Sequence, residues 1–307
     1  MLPRTGLRIR RLALGTAPLA SIFWGNDGDT AVRTASRALE LGVRFFDTAP
    51  FYGLGEAERR LGWALAAAGG ERPVIATKAG RVLTVQPDGS VDVHFDFGYD
   101  AARQSLESSL ERLGMDRIDI VHIHDPDDHI HEALEGTYRA LVALRDEGVI
   151  GAVSLGTNSV ATATAFLERA DLDCMLVAGR YTLLDRSAAE LIDACARQGV
   201  AYLAAGVFNS GVLARPQAGS WYDYGPASGE TLERAATMDS VCQHHGVSLQ
   251  AAAVNFPLLN PNVTAVVVGM AAPAEVDENL AALRTPVPDD LWSELRREGL
   301  LGDGEPR

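Results

Sequence analysis

Residues 14–21 read LGTAPLAS. They close the first apolar run of the chain, 11–16 (RLALGT), and their reading decides between two α/β folds. An open, doubly wound sheet that binds a dinucleotide needs a GxGxxG turn at this point, so that the backbone can approach a pyrophosphate. This turn has one glycine and a proline, and it fails that test. Seven further runs follow: 43–48 (VRFFDT), 73–78 (PVIATK), 118–124 (IDIVHIH), 151–156 (GAVSLG), 174–179 (CMLVAG), 201–206 (AYLAAG) and 264–269 (TAVVVG). Several are apolar almost throughout, as in parallel strands covered on both faces. Helical patterns fill the gaps. GDTAVRTASRALELG has Asp29 and Thr30 near its start and Gly42 past its end. DAARQSLESSLERLG lines Leu106, Leu110 and Leu113 on one face and stops at Gly114. HEALEGTYRALVALRDEG reads as one helix. Eight strands alternating with at least eight helices predict a (β/α)8 TIM barrel, a single domain over residues 1–307. Long irregular loops are expected after the third strand (79–99) and the seventh (207–229), and DDLWSELRREG adds a C-terminal helix.

Composition narrows the function classes. With 47% hydrophobic and 22% charged residues the chain has material for a sizeable core. Lys plus Arg is 27 against 41 Asp plus Glu, a net charge of −14, which disfavours nucleic acid and anionic membrane as partners. The N-terminal stretch lacks the apolar core of a signal peptide, and no run reaches the length of a membrane span. Cys174, Cys195 and Cys242 are widely spaced, odd in number and in apolar surroundings. They read as buried thiols rather than a disulfide framework, and a cytoplasmic setting is expected.

A barrel of this kind places its chemistry at the C-terminal ends of the strands. The second strand ends on Asp47, with Tyr52 in the loop beyond it; the third ends on Lys78 and the fourth on His124. Each alone has a plain structural reading: an ion pair, a loop aromatic, a core histidine. Their convergence on one rim is what points to catalysis. A lysine closing an apolar strand needs a partner once buried, and Asp47 is the nearest carboxylate. A phenol titrates near ~10 and is a poor acid–base group at neutral pH. An adjacent ammonium is expected to lower that value, so that Tyr52 exchanges a proton with a carbonyl or alcohol oxygen while hydride moves at carbon. His124 would hydrogen-bond the same oxygen.

These motifs resemble the aldo/keto reductase superfamily. FFDTAPFYGLGEAERRLGWAL is similar to its Asp–Tyr signature, VIATKAG to its lysine strand, LERLGMDRIDIVHIHDPD to its histidine strand, and YRALVALRDEGVIGAVSLGTN to its fourth helix and fifth strand. The resemblance implies the tetrad Asp47, Tyr52, Lys78 and His124 and a nicotinamide cofactor, NAD or NADP, held without a Rossmann fold. HIHDPDD, RYTLLDR and GVFNSGVLA resemble the L-fucose, L-galactose and D-threo-aldose 1-dehydrogenases and pyridoxal 4-dehydrogenase. Carried over, Thr157 and Asn158 meet the carboxamide, with Thr157 in place of the usual serine. Phe208, Asn209, Ser210 and Gly211 form the pyrophosphate loop, with Leu213 beside it, and Glu278 and Asn279 match adenine contacts. Gly269 and Glu275 stand where NADP-preferring members carry Lys and Arg, which implies NAD. Two positions depart from the pattern: Ala178 replaces a common glutamine, and Ala205 or Gly206 a common stacking tyrosine.

For the substrate, Trp24 (with Phe23), Phe51, Arg81, His94 and Trp221 (with Tyr222 and Tyr224) lie in the loops over the rim. Aromatics with scattered polar groups suit a sugar-like or other small carbonyl substrate, and equally suit closing the barrel mouth. The leading expectation is an NAD(P)-dependent oxidoreductase that oxidises an aldose at C1. An aldehyde or ketone reductase is the alternative, and a redox-sensing regulatory subunit is the alternative of another class. His122 and His124 invite a metal reading, but strand-end partners for it are lacking, and no metal is expected. His129 and His131 are expected near an exposed helix start, and His244 and His245 at a helix C-terminus. The protein is expected to be a monomer or a simple homo-oligomer.

Overall fold

The computed structural model describes residues 1–20, 27–86 and 88–302. Eight parallel strands run β1 (Leu12–Gly15), β2 (Phe45–Asp47), β3 (Val74–Ala79), β4 (Ile118–His124), β5 (Ile150–Thr157), β6 (Cys174–Ala178), β7 (Ala201–Ala205) and β8 (Val263–Gly269). They pair in sequence order, and β8 closes on β1. Every run expected to be a strand is one. Helices Gly28–Glu40, Glu56–Ala67, Tyr99–Leu113, Thr137–Asp146, Val160–Arg169, Ala189–Gln198 and Pro273–Arg284 pack outside the barrel, and Asp289–Arg297 is the expected extra helix.

The core has two layers. Between helices and strands lies a continuous apolar shell that includes Phe46, Leu61, Leu106, Phe166, Tyr202 and Trp292. Inside the barrel the residues are mostly small: Ala13, Ala76, Ala152, Cys174, Ala201, Ala205 and Ala265, with Phe45 and Ile120 among them. Leu2, Leu7 and Ile9 pack on this inner cluster, so the segment preceding β1 plugs the N-terminal end. The three cysteines are buried free thiols, each pushed up to about 12 by burial.

Four local expectations are corrected. The first outer helix is capped by Asp27, whose Oδ1 accepts from Thr30 N at 2.6 Å, rather than by Asp29 or Thr30. The helix expected through 131–148 breaks at Gly136 into Ile130–Glu135 and Thr137–Asp146. A Cβ on Gly136 would stand 2.1 Å from Phe97 O, and Thr137 N and Oγ1 both donate to that carbonyl, at 2.8 and 2.9 Å. The stretch after β3 is not irregular: Arg81–Val85 pairs antiparallel with Val91–Phe95. The stretch after β7 holds a small turn in which Trp221–Tyr222 pairs with Gly225–Pro226.

Candidate active site

The C-terminal ends of β2, β3 and β4 bring one buried cluster together. Lys78 Nζ donates to Asp47 Oδ2 at 2.6 Å and to Thr48 O at 2.9 Å. On the other side of the carboxylate, His122 Nε2 lies 3.2 Å from Asp47 Oδ1, close enough to interact but not aligned as a hydrogen bond. His122 Nδ1 meets Ser154 Oγ at 2.7 Å. Burial opposes the Asp47 charge, but Lys78 and His122 outweigh it, and its pKa lies below the ordinary value. Burial lowers His122 as well, against the pull of Asp47. His122 is thereby committed to Asp47 and Ser154. Room for this cluster comes from Gly156 on β5, where a Cβ would stand 3.2 Å from His122 Cβ and 3.7 Å from Lys78 Cε.

Tyr52 is carried by a tight loop over this pair. Gly53 takes φ 63°, and a Cβ there would come within 2.7 Å of Ala20 Cβ, so only glycine lets the loop fold against the segment after β1. Lys78 Nζ lies 4.9 Å from the Tyr52 ring centroid, and the His124 ring stands edge-on to it at 6.1 Å. The Tyr52 hydroxyl does not show the expected lowering. Burial, then the carboxylates of Asp47 and Asp125, raise it well above 10, because the ammonium is already neutralised by Asp47. His124 is pushed well below 6.5 by burial and by Lys78, Arg81 and His122, so its imidazole is neutral. Among the described residues its buried Nδ1 has no hydrogen-bond partner, while Nε2 faces Asp125 Oδ2 at 3.6 Å. That arrangement places the single ring proton on Nε2.

A second network supports the loop. Glu58, fully buried, accepts from Thr77 Oγ1 and from Arg112 Nε, both at 2.6 Å. It ties the helix after Tyr52 to the β3 residue beside Lys78. Glu58 stands in the quoted signature, but nothing in the sequence says what it would bind.

The opposite half of the rim holds the residues expected to meet a dinucleotide. Thr157 is buried and serves the chain: its Oγ1 accepts from Ser159 N at 3.0 Å. Asn158 O accepts from Arg180 Nε at 2.6 Å. Asn209 and Ser210 have φ of 45° and 59°, and Gly211 has 105°, so this turn is left-handed throughout. Asn209 Nδ2 donates to Gly179 O at 3.3 Å, while its buried Oδ1 has no partner among the described residues. Phe208 is half-buried, and Leu213 is wholly buried in the outer core, behind the turn. Gly269, which ends β8, and Glu278 beyond it are exposed. Glu275 Oε2 accepts from Ala271 N at 2.7 Å. Asn279 Nδ2 donates to Glu275 O and its Oδ1 accepts from Gln250 Nε2, so both ends of its amide are taken by protein. A dinucleotide fits this half-rim on one observation above all: among the described residues Asn209 Oδ1 is a buried acceptor without a partner, suited to an amide or hydroxyl donor, in a left-handed turn whose Ser210 is exposed.

On the substrate side, Phe51 and Arg81 reach the tetrad. Arg81 Cζ lies 4.5 Å from the Phe51 ring and 5.1 Å from Phe95, and its Nη2 donates to Asp125 Oδ2 at 2.6 Å. His94 does not share that face. It pairs with Val82, whereas Phe95 pairs with Arg81, and opposite residues of a hairpin share a side. His94 Nδ1 instead lies 3.5 Å from Thr84 Oγ1. Trp221 is half-exposed on the outer turn, bridged to Gly211. From the same turn Tyr224 approaches the site instead. Protein crowding its hydroxyl, then Tyr52 and Asp125, raise it to about 12, although two-thirds of the residue is exposed. Trp24 and Phe23 lie outside the described residues. A hollow of about 450 Å3 lined by Arg11, Asn255, Leu258, Thr285 and Trp292 lies at the other end of the barrel and holds none of these groups. His129 pairs with Glu132, and His131 is exposed. His244 and His245 end helix Gly229–His244 and pair with Glu294 on the outer surface.

A closed eight-stranded barrel with a Lys–Asp pair, a phenol and a neutral imidazole at one rim defines a class of oxidoreductase. The aldo/keto reductase family model matches residues 11–297, and the chain belongs to that family, whose members use NAD(P). It is 38% identical to D-threo-aldose 1-dehydrogenase of a Pseudomonas species, covering 96% of each chain. It is 36% identical to pyridoxal 4-dehydrogenase of Microbacterium luteolum, covering 98% of this chain and 97% of that one. Among solved structures, the glycerol dehydrogenase of Gluconobacter oxydans superposes with a TM-score of 0.79 over 100% of this chain and 96% of that one, at 24% identity. No helix among the described residues is long and apolar enough to cross a membrane.

Proposed function

We propose that the protein oxidises an aldose at C1 to the lactone, with NAD preferred to NADP. The observation that carries this reading is the buried Lys78–Asp47 pair set against Tyr52, with neutral His124 edge-on beside it. The likeness to D-threo-aldose 1-dehydrogenase supports the substrate class. When bound, the oxidised nicotinamide supplies the hydride acceptor and a positive charge. Asn158, the turn from Phe208 to Gly211 and the segment from Gly269 to Asn279 would hold the dinucleotide. Tyr52, as its phenolate, takes the proton from the C1 hydroxyl while the Nε2–H of His124 hydrogen-bonds the same oxygen; burial raises the phenol, and the positive charge of the bound oxidised nicotinamide would favour the phenolate that oxidation requires. The same atoms serve the reverse direction, in which the raised Tyr52 hydroxyl is the proton donor.

NAD preference rests on charge. Glu275 and the exposed Glu278 follow β8 where a 2′-phosphate would otherwise find cations, and carboxylates repel it. The buried free thiols fit a cytoplasmic enzyme, working as a monomer or simple homo-oligomer on a free small molecule. The test is a panel of aldoses, ketones and aldehydes assayed with both cofactors. Aldose oxidation with a higher kcat/KM for NAD is expected. Activity confined to ketone or aldehyde reduction would remove the aldose reading, and a strong NADP preference would remove the cofactor one.

A further inference from the structure

We propose that Asp125, held by Arg81, is a specificity-determining residue that reads a hydroxyl on the carbon next to the reacting one. This rests on the aldose reading above and narrows it. Asp125 directly follows His124 and has φ 45°, a left-handed conformation that is uncommon outside glycine and is kept only where surrounding contacts enforce it. Its backbone N donates to Gly156 O at 2.9 Å, which pins the turn to the end of β5. Its carboxylate is three-quarters buried, with Oδ2 3.6 Å from His124 Nε2 and 2.6 Å from Arg81 Nη2. Arg81 is in turn held between the rings of Phe51 and Phe95. An acidic side chain so placed at the mouth is anchored from two sides, unlike a solvated surface pair.

The geometry fixes what such a carboxylate can recognise. The oxygen undergoing reaction sits one hydrogen bond from His124 Nε2, which is itself 3.6 Å from Asp125 Oδ2. A hydroxyl on the adjacent carbon lies about another hydrogen-bond length from that oxygen, within reach of Asp125. Among the described residues Asp125 Oδ1 takes no hydrogen bond, and Arg81 Nε, buried, has no partner. The pair thus offers the second carboxylate oxygen as an acceptor for a hydroxyl that donates, with the guanidinium fixing its direction. A substrate without that hydroxyl leaves Asp125 Oδ1 without the bond, and a site built to bond a hydroxyl discriminates against the analogue that lacks it.

D-arabinose and 2-deoxy-D-ribose differ only in the C2 hydroxyl and make the test. kcat/KM is measured for both sugars with the wild type, Asp125→Ala and Asp125→Asn, with thermal melts to establish folding. The expected result is a wild-type preference for D-arabinose that shrinks about 10- to 100-fold in Asp125→Ala, the range for a hydrogen bond to a charged group, and is partly restored in Asp125→Asn. If the wild type prefers D-arabinose and folded Asp125→Ala keeps the same ratio, Asp125 is not the reader, and the aldose reading stands. If the wild type oxidises neither sugar nor any other aldose, the aldose reading fails and takes this proposal with it.

Discussion

Lys78 Nζ and Asp47 Oδ2 meet at 2.6 Å with only 3% and 5% of their side chains exposed. The pair is deep enough that removing one member leaves an uncompensated charge. Lys78→Met should cost about 3–5 kcal/mol of stability, the penalty for breaking a buried pair. Replacing both, as Asp47→Leu with Lys78→Met, should recover most of the loss in a urea melt while leaving kcat near zero. Recovery of kcat together with stability would show that the pair is structural only.

Tyr52→Phe removes one oxygen and keeps the ring packing against His124. The kcat should fall by about 100- to 10,000-fold, the range for a positioned acid–base group. Dinucleotide affinity, read by nicotinamide fluorescence, should hardly change. Equal rates in variant and wild type would remove Tyr52 from the mechanism.

The two buried histidines set an acid limit on stability. Burial lowers both His122 and His124 below 6.5 in the folded protein. As pH falls below the unfolded value of about 6.5, the unfolded chain binds protons that the folded one refuses, so stability drops with falling pH. Asp47, also lowered, adds a further loss at more acid pH, as it falls through the folded Asp47 value. Urea midpoints should decline from pH 7 toward pH 5, and His122→Asn with His124→Asn should flatten that slope. A midpoint that rises toward pH 5 would contradict the assignment.

Arg180, just past β6, holds three places at once. Its Nε donates to Asn158 O at 2.6 Å, its Nη2 to the Asp223 carboxylate at 3.0 and 3.1 Å, and its Nη1 lies 3.4 Å from Asp185. Arg180→Ala should loosen the turn that carries Tyr224 and raise the KM for the dinucleotide several-fold more than it lowers kcat. Faster limited proteolysis within 215–226 is the accompanying structural readout.

Glu58 links the helix after Tyr52 to Thr77, the β3 residue beside Lys78. Glu58→Ala should cost about 3–5 kcal/mol, because Arg112 loses its buried partner. Thermal denaturation measures it, and an unchanged melting temperature would show the network to be dispensable.

The barrel and its rim are legible in the chain alone. Strand candidates near-continuous in apolar residues, such as VIATK and IDIVHIH, can only be buried on both faces, and parallel order then sends Asp47, Lys78 and His124 to one end. Local pattern reaches no further than that. Parity separates Phe95 from His94 only once Arg81 is known to pair with Phe95, a register set by the hairpin. The break at Gly136 depends on Phe97 O, far away in the chain, approaching where a side chain would have been. Charge balance is equally tertiary. Lys78 was expected to lower the Tyr52 hydroxyl, but Asp47 neutralises the ammonium and burial raises the phenol, a sum that no stretch of sequence contains. Asp125 shows the same division: its place after His124 is written in the chain, but its left-handed turn and the Arg81 clamp exist only when β3, β4 and the hairpin meet at one mouth.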